Sequence, residues 1–320
     1  MTSPPPDPAT SLGRLGQVAG SVAQVVAPLS VLTALLFYFG YASSRAQYEY
    51  FGVDVDTIGL STQDYVMRSP QPLLVPLLVL SVLALLALLA HAAISRRIFV
   101  PDSEGGNPFR LDRYRQLARR TVLVGMAVLV GGMVVLLCYP YLREWALFAL
   151  VTPVLIGSGA GLIGYGTRIQ ARLEPPPPSP GPGDDGRAQA DRSLLALRRY
   201  AGVALVVVIV ANIFWATATI AQWSGRGLAH YSANHLDRLP STILDTQERL
   251  FLRSPGIEET ALPASDGQTF RYRYRHLRLL IEGKDRMFLV PDQWSASNST
   301  LIVPLDGSVR VQFQFQNDPP

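Results

Sequence analysis

The stretch "LLVPLLVLSVLALLALLAHAAI", residues 73–94, contains no Asp, Glu, Lys or Arg. A run of about 18 or more apolar residues is long enough to cross the hydrocarbon core of a bilayer, which is roughly 30 Å thick. Backbone groups inside lipid must be hydrogen-bonded within their own segment, so such a run is expected to be a helix. Four further runs share this composition, and the predicted membrane helices span about residues 18–42, 73–94, 121–139, 146–167 and 200–223.

The arginines between these runs predict the orientation of the helices. Seven arginines lie in residues 96–120 and six in 168–199, whereas the loop 43–72 contains two. Cytoplasmic loops of membrane proteins carry an excess of basic residues. We therefore expect a multi-pass membrane protein with a cytoplasmic N-terminus. The same alternation places residues 224–320 outside the cytoplasm.

Two segments rich in proline are predicted to lie on the cytoplasmic side. Residues 1–17 begin with "MTSPPPDPATSL" and are expected to form a disordered N-terminus. The loop 174–192 contains "EPPPPSPGPGDDG", whose consecutive prolines favour an extended spacer between the fourth and fifth helices. The helices and these connections define a membrane domain at 18–223.

The C-terminal region, residues 224–320, has the alternating pattern of β-strands. In "TFRYRYRHLRLLIE", residues 269–282, aromatic and arginine side chains alternate until the pattern slips near His276, which predicts a bulge. "EGKD" is a predicted hairpin turn before the strand "RMFLVP", and "LDGSVRVQFQF" predicts a turn and a further strand. "DTQERLFLR" is also interpreted as a strand, and a short helix at about 228–239 is expected before it. The fold class is therefore an all-α membrane bundle of five helices with a small β-rich extracytoplasmic domain, a barrel or a sandwich.

The loop 43–72 contains an Asp-x-Asp pair, Asp54 and Asp56, that imitates the start of a calcium-binding loop. An EF-hand also needs oxygen ligands at its fifth and twelfth positions. Those positions hold Ile58 and Tyr65, so we expect no metal at this loop.

A capping box explains the next part of this loop better. Ser61 and Asp64 have the spacing at which a serine side chain and an acidic side chain satisfy the first backbone N–H groups of a helix. A short helix is therefore predicted at about 62–68, ending near Pro70. We expect the loop to form an ordered cap on the outer face of the membrane domain.

The predicted membrane helices have few polar residues. None of the five apolar cores contains an acidic or basic side chain, which argues against a coupled transporter, since intramembrane charges mark ion pathways. Asn212, Thr217 and Thr219 can bond between helices or line a polar path. Gly157-x-x-x-Gly161 and the neighbouring glycines favour close helix packing over a substrate gate.

The C-terminal region also contains arginine and tryptophan side chains that form a candidate interaction surface. The arginines of the strand at 269–282 could hold an anionic cell-wall polymer or simply face water. We expect no cofactor and no nucleic acid at a site outside the cytoplasm. Together with the acids of the cap, the candidate surface comprises Asp54, Asp56, Asp64, Arg271, Arg273, Arg275 and Trp294.

Two quoted segments resemble a known group of proteins. "YEYFGVDVDTIGLSTQDYVMRS" and "YRYRHLRLLIEGKDRMFLVPDQW" resemble uncharacterised actinobacterial multi-pass membrane proteins with a C-terminal β-rich domain. The resemblance implies a bacterial plasma membrane and brings no activity and no functional residues.

Three functions are compatible with this sequence. The leading prediction is a non-enzymatic envelope scaffold or sensor whose external domain binds a protein or a cell-wall polymer. The alternatives are a component of a transporter or channel, and a membrane-bound enzyme with a carboxylate site near Asp54, Asp56 and Asp64. The oligomeric state does not follow from the sequence.

Overall fold

A computed structural model of the chain describes residues 8–99, 108–173, 185–263, 267–295 and 297–314. Within these residues, five helical segments are long and apolar enough to cross a membrane. The prediction of a five-helix membrane protein is therefore confirmed at this level. The segments are Ala27–Glu49, Pro70–Arg96, Asp112–Leu137, Phe148–Leu173 and Ser193–Asn234.

The helices extend beyond the apolar runs at most of their ends. The first helix begins well before the predicted boundary at residue 18, because proline is tolerated at the start of a helix, where its missing N–H has no partner to lose. The last one continues into the residues predicted to form a separate short helix, and a 3₁₀ turn follows it at Leu236–Arg238. The helices are α1 (Pro8–Glu49), α2 (Val55–Ile58), α3 (Thr62–Arg68), α4 (Pro70–Phe99), α5 (Pro108–Leu137), α6 (Tyr139–Leu142), α7 (Phe148–Leu173) and α8 (Asp185–Asn234).

The C-terminal residues form one antiparallel sheet of six strands within the described part of the chain. The long β3 is central: β1 pairs with one edge of it, and β2 and β4 pair along the other. The outer strands are β5, beside β4, and β6, beside β1. A β-rich domain is therefore confirmed, whereas the choice between barrel and sandwich stays a prediction. The strands are β1 (Ser241–Thr246), β2 (Glu258–Ala261), β3 (Tyr272–Glu282), β4 (Arg286–Pro291), β5 (Leu301–Pro304) and β6 (Val309–Gln314).

The bulge predicted near His276 is present. Thr242 of β1 pairs with Leu277 of β3, but Leu244 pairs with Tyr274, so β3 contains one extra residue between these pairs. His276 itself has φ 62°, the left-handed conformation that an extra residue in a bulge can adopt.

One predicted strand is wrong in its extent. "DTQERLFLR" was expected to continue as a strand to Arg253, but β1 ends at Thr246 and the following residues are irregular. Phe251 has a positive φ of 51°, which no regular strand accommodates. Most of the proline-rich loop, residues 174–184, lies outside the described residues, as do residues 1–7 of the predicted N-terminal segment.

The chain divides into two compact units, which are described separately. The first unit comprises Met1–Leu74 and Ala221–Pro320, and the second comprises Val75–Ile220. The first contains α1 to α3, the C-terminal end of α8 and the sheet. The second contains most of α4 and α8 together with α5, α6 and α7.

In the second unit, α5 and α7 pack closely through glycines. A Cβ atom on Gly159 would lie 2.6 Å from the backbone N of Leu129, and one on Gly125 would lie 2.9 Å from the Gly159 carbonyl oxygen. Small residues allow this approach of two backbones, which drives helix association in lipid. The prediction of packing through glycines is confirmed, but Gly161 has no neighbour within 4 Å of its Cβ position.

A threonine of α8 compensates for the proline within α7. Pro153 has no N–H, so the carbonyl of Ala149, one turn earlier, has no donor within its own helix. The hydroxyl of Thr219 shares its proton between this carbonyl, at 3.2 Å, and the Trp215 carbonyl of its own helix, at 3.1 Å. Inside a membrane an unpaired carbonyl is costly, so this bond is an interhelical contact with a clear physical reason.

We expect Thr219→Val to lower the stability of the membrane domain by about 1 kcal/mol, because the Ala149 carbonyl loses its donor. In a Pro153→Ala background the same substitution should have little effect, since the restored N–H of residue 153 can bond to Ala149. A double-mutant cycle measured by unfolding in mixed micelles tests this coupling.

The matched control is Thr217→Val, whose hydroxyl donates to Ile213 of its own helix at 2.8 Å. Its effect should be independent of residue 153. Equal losses from Thr219→Val in both backgrounds would contradict the role assigned to Thr219.

Candidate functional site: a shared cap and sheet domain

The cap segment, residues 43–72, and the C-terminal sheet share one hydrophobic core. Phe51, Val55 and Ile58 of the cap segment are buried, with at most 1% of each side chain exposed. They belong to the same cluster as Phe288 and Val290 of β4, which are completely buried. Side chains this large stabilise a fold by roughly 1.5–3 kcal/mol each when they are removed from water. The cap segment and residues 224–320 are therefore one folded body, called the cap–sheet domain below.

Backbone contacts fix the cap segment on the sheet. The Thr300 hydroxyl donates to the Phe51 carbonyl at 2.6 Å. At the turn between β3 and β4, a Cβ atom on Gly283 would lie 2.4 Å from the Ile58 carbonyl oxygen. The predicted hairpin turn thus has glycine at the point where the cap segment approaches it most closely.

The ends of two long helices are built into this domain. Gly225 of α8 lies so close to α1 that a Cβ atom there would be 2.0 Å from the Ser43 carbonyl oxygen. Gly40 of α1 contacts α3 in the same way, with 1.9 Å to the Tyr65 carbonyl oxygen. Ala229 of α8 is completely buried in the core. The domain therefore includes parts of both membrane-type helices rather than being joined to them by a linker.

The three acids of the cap segment have separate structural roles. Asp54 is the N-cap of α2 and accepts from the Asp56 N–H at 3.2 Å, while Asp56 accepts from the Tyr41 hydroxyl at 3.2 Å. Asp64 accepts from the Ser61 N–H and hydroxyl, each at 2.7 Å, and the Asp64 N–H donates to Ser61, which completes the predicted capping box. These hydrogen bonds from Ser61 hold the pKa of Asp64 below its usual range. The carboxylates are thus engaged at different points instead of forming one site.

The glycine of the loop has a structural explanation. Gly59 has φ 76° as the left-handed C-cap of α2, which explains the glycine that suggested a calcium loop. Within the described residues, no group of three metal-ligating side chains is found.

We expect Ser61→Ala to lower the free energy of unfolding of the cap–sheet domain by about 1 kcal/mol, because the Asp64 N–H loses its acceptor. A separate contribution, that of the Asp64 carboxylate, should be lost in acid: its lowered pKa stabilises the fold above the ordinary value of 3.8, and that stabilisation disappears as pH falls through the lowered pKa. Pulse proteolysis in urea at neutral and acidic pH measures both effects.

Thr62→Ala is the control, because Thr62 is an exposed residue of the same helix and its hydroxyl bonds to no described residue. A loss from Thr62→Ala equal to that from Ser61→Ala would contradict the capping role.

The arginine series on β3 differs from its prediction. The guanidinium of Arg273 forms two hydrogen bonds with Asp245 of β1, at 2.8 and 3.0 Å. Arg310 of β6 bonds to the same carboxylate at 2.6 Å. Asp245 is completely buried, and the hydrogen bonds from Arg273 hold its pKa below the usual range. Arg273 is therefore a structural residue and does not belong to a free interaction surface.

The remaining arginines divide into paired and exposed members. Arg278 donates to Asp292 at 2.5 Å, and His276 contacts the same carboxylate at 3.0 Å. Arg271 and Arg275 are exposed and have no ion pair with any described residue. The candidate surface for binding an anionic polymer thus reduces to Arg271 and Arg275.

Sequence reasoning missed Asp245, the residue that organises this triad. Asp245 was predicted to begin the strand "DTQERLFLR", whereas it lies within β1, "STILDT". The sequence does contain an acidic residue in one strand and arginines in two others. Their pairing can be recognised only once the strand register is known, which places Asp245 opposite Arg273 and Arg310.

Trp294 lines a cleft of about 680 Å³ between the cap segment and the loop that follows β4. Its ring lies 5.0 Å from that of Phe51 between centroids, and Tyr50 lies 5.3 Å from Phe51, so three aromatic rings follow one another along the cleft. Trp294 is the member of the predicted surface that borders an open concave site. The residues lining the cleft are Glu49, Tyr50, Phe51, Gly52, Val53, Trp294, Ser295, Asn298, Ser299, Thr300 and Ile302.

Comparison with known proteins does not assign the chain to a family. No family model matches it, and neither a curated protein nor a solved structure does. The resemblance to actinobacterial membrane proteins stays a prediction, because none of these comparisons tests it.

Proposed function

We propose that the chain is a non-enzymatic protein of a bacterial plasma membrane, a scaffold or sensor whose cap–sheet domain binds a partner outside the cytoplasm. The observation that carries this proposal is the shared core of the cap segment and the sheet, centred on Phe51 and Phe288. Anchoring in a membrane by five helices does not require the cap segment and the C-terminal sheet to fold into one domain, so this domain points to a role of its own.

The arginine distribution supports the orientation. Seven arginines in residues 96–120 and six in 168–199 favour a cytoplasmic position for both segments. The N-terminus is then cytoplasmic, and the loop 43–72 and residues 224–320 lie together outside. Because the two segments share one core, they must lie on the same side of the membrane.

A sensor needs a physical connection between its binding domain and its membrane helices. The contact of Gly225 with the Ser43 carbonyl leaves no space for α1 and the end of α8 to move independently. A partner that shifts the cap–sheet domain therefore shifts both helices, whereas a scaffold uses the same rigidity to hold its partner in place.

The two alternatives receive less support. The enzyme hypothesis relied on Asp54, Asp56 and Asp64, which are engaged with helix ends and with the Tyr41 hydroxyl. The transporter hypothesis relied on polar groups of α8, and there Asn212 donates to the Val208 carbonyl and Thr217 to Ile213, both within the helix. These bonds satisfy side-chain donors within α8, which weakens the argument for a polar path.

The partner classes proposed are the lipid bilayer, around the apolar helices, and an envelope protein or an anionic cell-wall polymer at the cap–sheet domain. Arg271 and Arg275 are two exposed cations available to an anionic polymer. A nucleic-acid partner is not part of the proposal.

Photo-crosslinking in living cells tests this function. A benzophenone amino acid placed at Met67 of the cap segment or at Phe313 of β6, both exposed, should give discrete adducts. Digestion with a cell-wall hydrolase distinguishes the partners: the adduct with a polymer is shortened, and the adduct with a protein is not.

The control position is Leu88, an exposed apolar residue of α4 that faces lipid if the helix spans the membrane. It should give no discrete adduct. Adducts at neither Met67 nor Phe313, in a variant that is expressed and folded, would overturn the proposal.

A further inference from the structure

The cleft beside Trp294 has the dimensions and lining of a small-ligand site. Ligand pockets in proteins occupy about 300–1,000 Å³ and combine aromatic walls with a few convergent polar groups. The cleft has a volume of about 680 Å³, and Tyr50 and Trp294 contribute its accessible aromatic surface, because the Phe51 ring between them is only 1% exposed. Its hydroxyl and amide groups come from the loop after β4.

Most of these loop groups are already hydrogen-bonded to protein. The Ser295 hydroxyl donates to Asn298, Ser299 contacts Ser254, and Thr300 donates to Phe51. They hold the shape of the cleft and offer little to a ligand. The loop after β4 therefore has few free hydrogen-bond donors.

Three lining groups have no such partner among the described residues. The carboxylate of Glu49 makes no hydrogen bond and no ion pair there, and the same holds for the indole N–H of Trp294 and the hydroxyl of Tyr50. Glu49 is also the only acidic or basic residue of the lining. An unpaired carboxylate beside the exposed Tyr50 and the partly exposed Trp294 favours a cation and repels an anion.

We infer that this cleft binds an ammonium group carried by the partner of the cap–sheet domain, with Glu49 supplying the charge and Tyr50 and Trp294 the aromatic surfaces. An ammonium ion is attracted to the faces of Trp and Tyr rings, and recognition of quaternary ammonium groups uses this arrangement. The group is either the primary amine of a peptide or a quaternary amine. The inference rests on the proposed function, because it specifies the chemistry of the external partner.

The test uses the full-length chain in detergent with its tryptophans replaced by 5-fluorotryptophan. Trp294 is one of four tryptophans, and its ¹⁹F resonance is assigned by Trp294→Phe. Choline and N-acetyl-lysine amide should each shift this resonance in a saturable way at concentrations up to about 100 mM. The uncharged isostere of choline, 3,3-dimethyl-1-butanol, should not. Tighter binding of choline would show that the preferred ligand group is a quaternary amine. Tighter binding of the lysine derivative would show that it is the primary amine of a peptide.

Glu49→Gln keeps the shape of the cleft and removes its charge. We expect it to weaken binding of the tighter probe by about tenfold or more. The matched control, Glu248→Gln, changes an exposed carboxylate outside the cleft and should leave binding unchanged. The inference is overturned if neither ammonium probe shifts Trp294, if dimethylbutanol binds as well as choline, or if Glu49→Gln has no effect.

These outcomes are separable from those of the proposed function. Crosslinked adducts at Met67 or Phe313 without ammonium binding would leave the scaffold or sensor in place and remove only the ligand class. Ammonium binding without any adduct would retain the cleft and remove the scaffold or sensor role.

Discussion

The double substitution Arg273→Leu and Arg310→Leu is expected to lower the free energy of unfolding of the cap–sheet domain by about 3–5 kcal/mol. Both arginines bond to the carboxylate of Asp245, which is completely buried. Without them an ionised carboxylate stays buried and unpaired, or takes up a proton at a cost in free energy. Pulse proteolysis of the full-length chain in urea measures the loss.

The losses of stability from the two single substitutions, added together, should be smaller than the loss in the double variant. Arg273 and Arg310 keep 25% and 47% of their side chains exposed, so either one can be hydrated when the other is removed. Asp245 then keeps one partner. The non-additive excess in the double variant measures the penalty of the unpaired carboxylate.

Arg271→Leu combined with Arg275→Leu is the matched control, because it removes two exposed guanidinium groups that form no hydrogen bond or ion pair with a described residue. It should change stability little, since single exposed charges contribute little. Equal effects from the two double variants would contradict the structural role of the triad.

The triad also predicts how stability changes with pH. The guanidinium of Arg273 is the main reason why the pKa of Asp245 lies below its ordinary value of 3.8. Stabilisation by Asp245 is therefore fully present above that value and is lost as pH falls through the lowered pKa. The Arg273→Leu and Arg310→Leu double variant should show a smaller loss of stability on acidification than the wild type.

Gly225→Ala is expected to have the second large effect, lowering the stability of the cap–sheet domain by about 3 kcal/mol or more. The added Cβ would lie 2.0 Å from the Ser43 carbonyl oxygen. Because the backbone of residue 225 fixes the position of Cβ and the oxygen belongs to the backbone of Ser43, no side-chain rotation can relieve the overlap. α1 and α8 would have to separate. Cellular abundance and pulse proteolysis report the change.

Gly227→Ala provides the control in the same helix. A Cβ atom at Gly227 meets nothing within 4 Å. Because alanine favours helices by about 0.5–1 kcal/mol relative to glycine, this variant should be as stable as the wild type or slightly more so. Similar behaviour of the Gly225 and Gly227 variants would show that the close crossing is not needed.

Local patterns in the sequence predicted local structure well. The capping box of Ser61 and Asp64 depends on residues three apart, and α3 occupies the predicted residues. The bulge at His276 follows from a change in the alternation of one strand. The five apolar helices follow from composition alone, because lipid leaves a long uncharged run few other structures.

Features that depend on distant partners were not predictable in this way. The ion pairs of Asp245 were not predicted, because its two arginines are 28 and 65 residues away in the chain. The glycines that meet α5 are Gly159 and Gly166, whereas the sequence motif pointed to Gly157 and Gly161, because the face of a helix that meets its neighbour depends on that neighbour. The contact of the cap segment with β4 likewise needs the position of both segments.

The most direct test of the central claim is cysteine labelling of a Cys138→Ala chain in intact cells with a membrane-impermeant maleimide. Single cysteines replace Gln63 in the cap segment, Gln268 before β3 or Gln189 near the start of α8, all exposed glutamines. Because one core joins the cap segment to the sheet, positions 63 and 268 should both react in intact cells, and position 189 only after lysis. Labelling of only one of positions 63 and 268 would contradict the shared domain, and labelling of position 189 alone would place that domain in the cytoplasm.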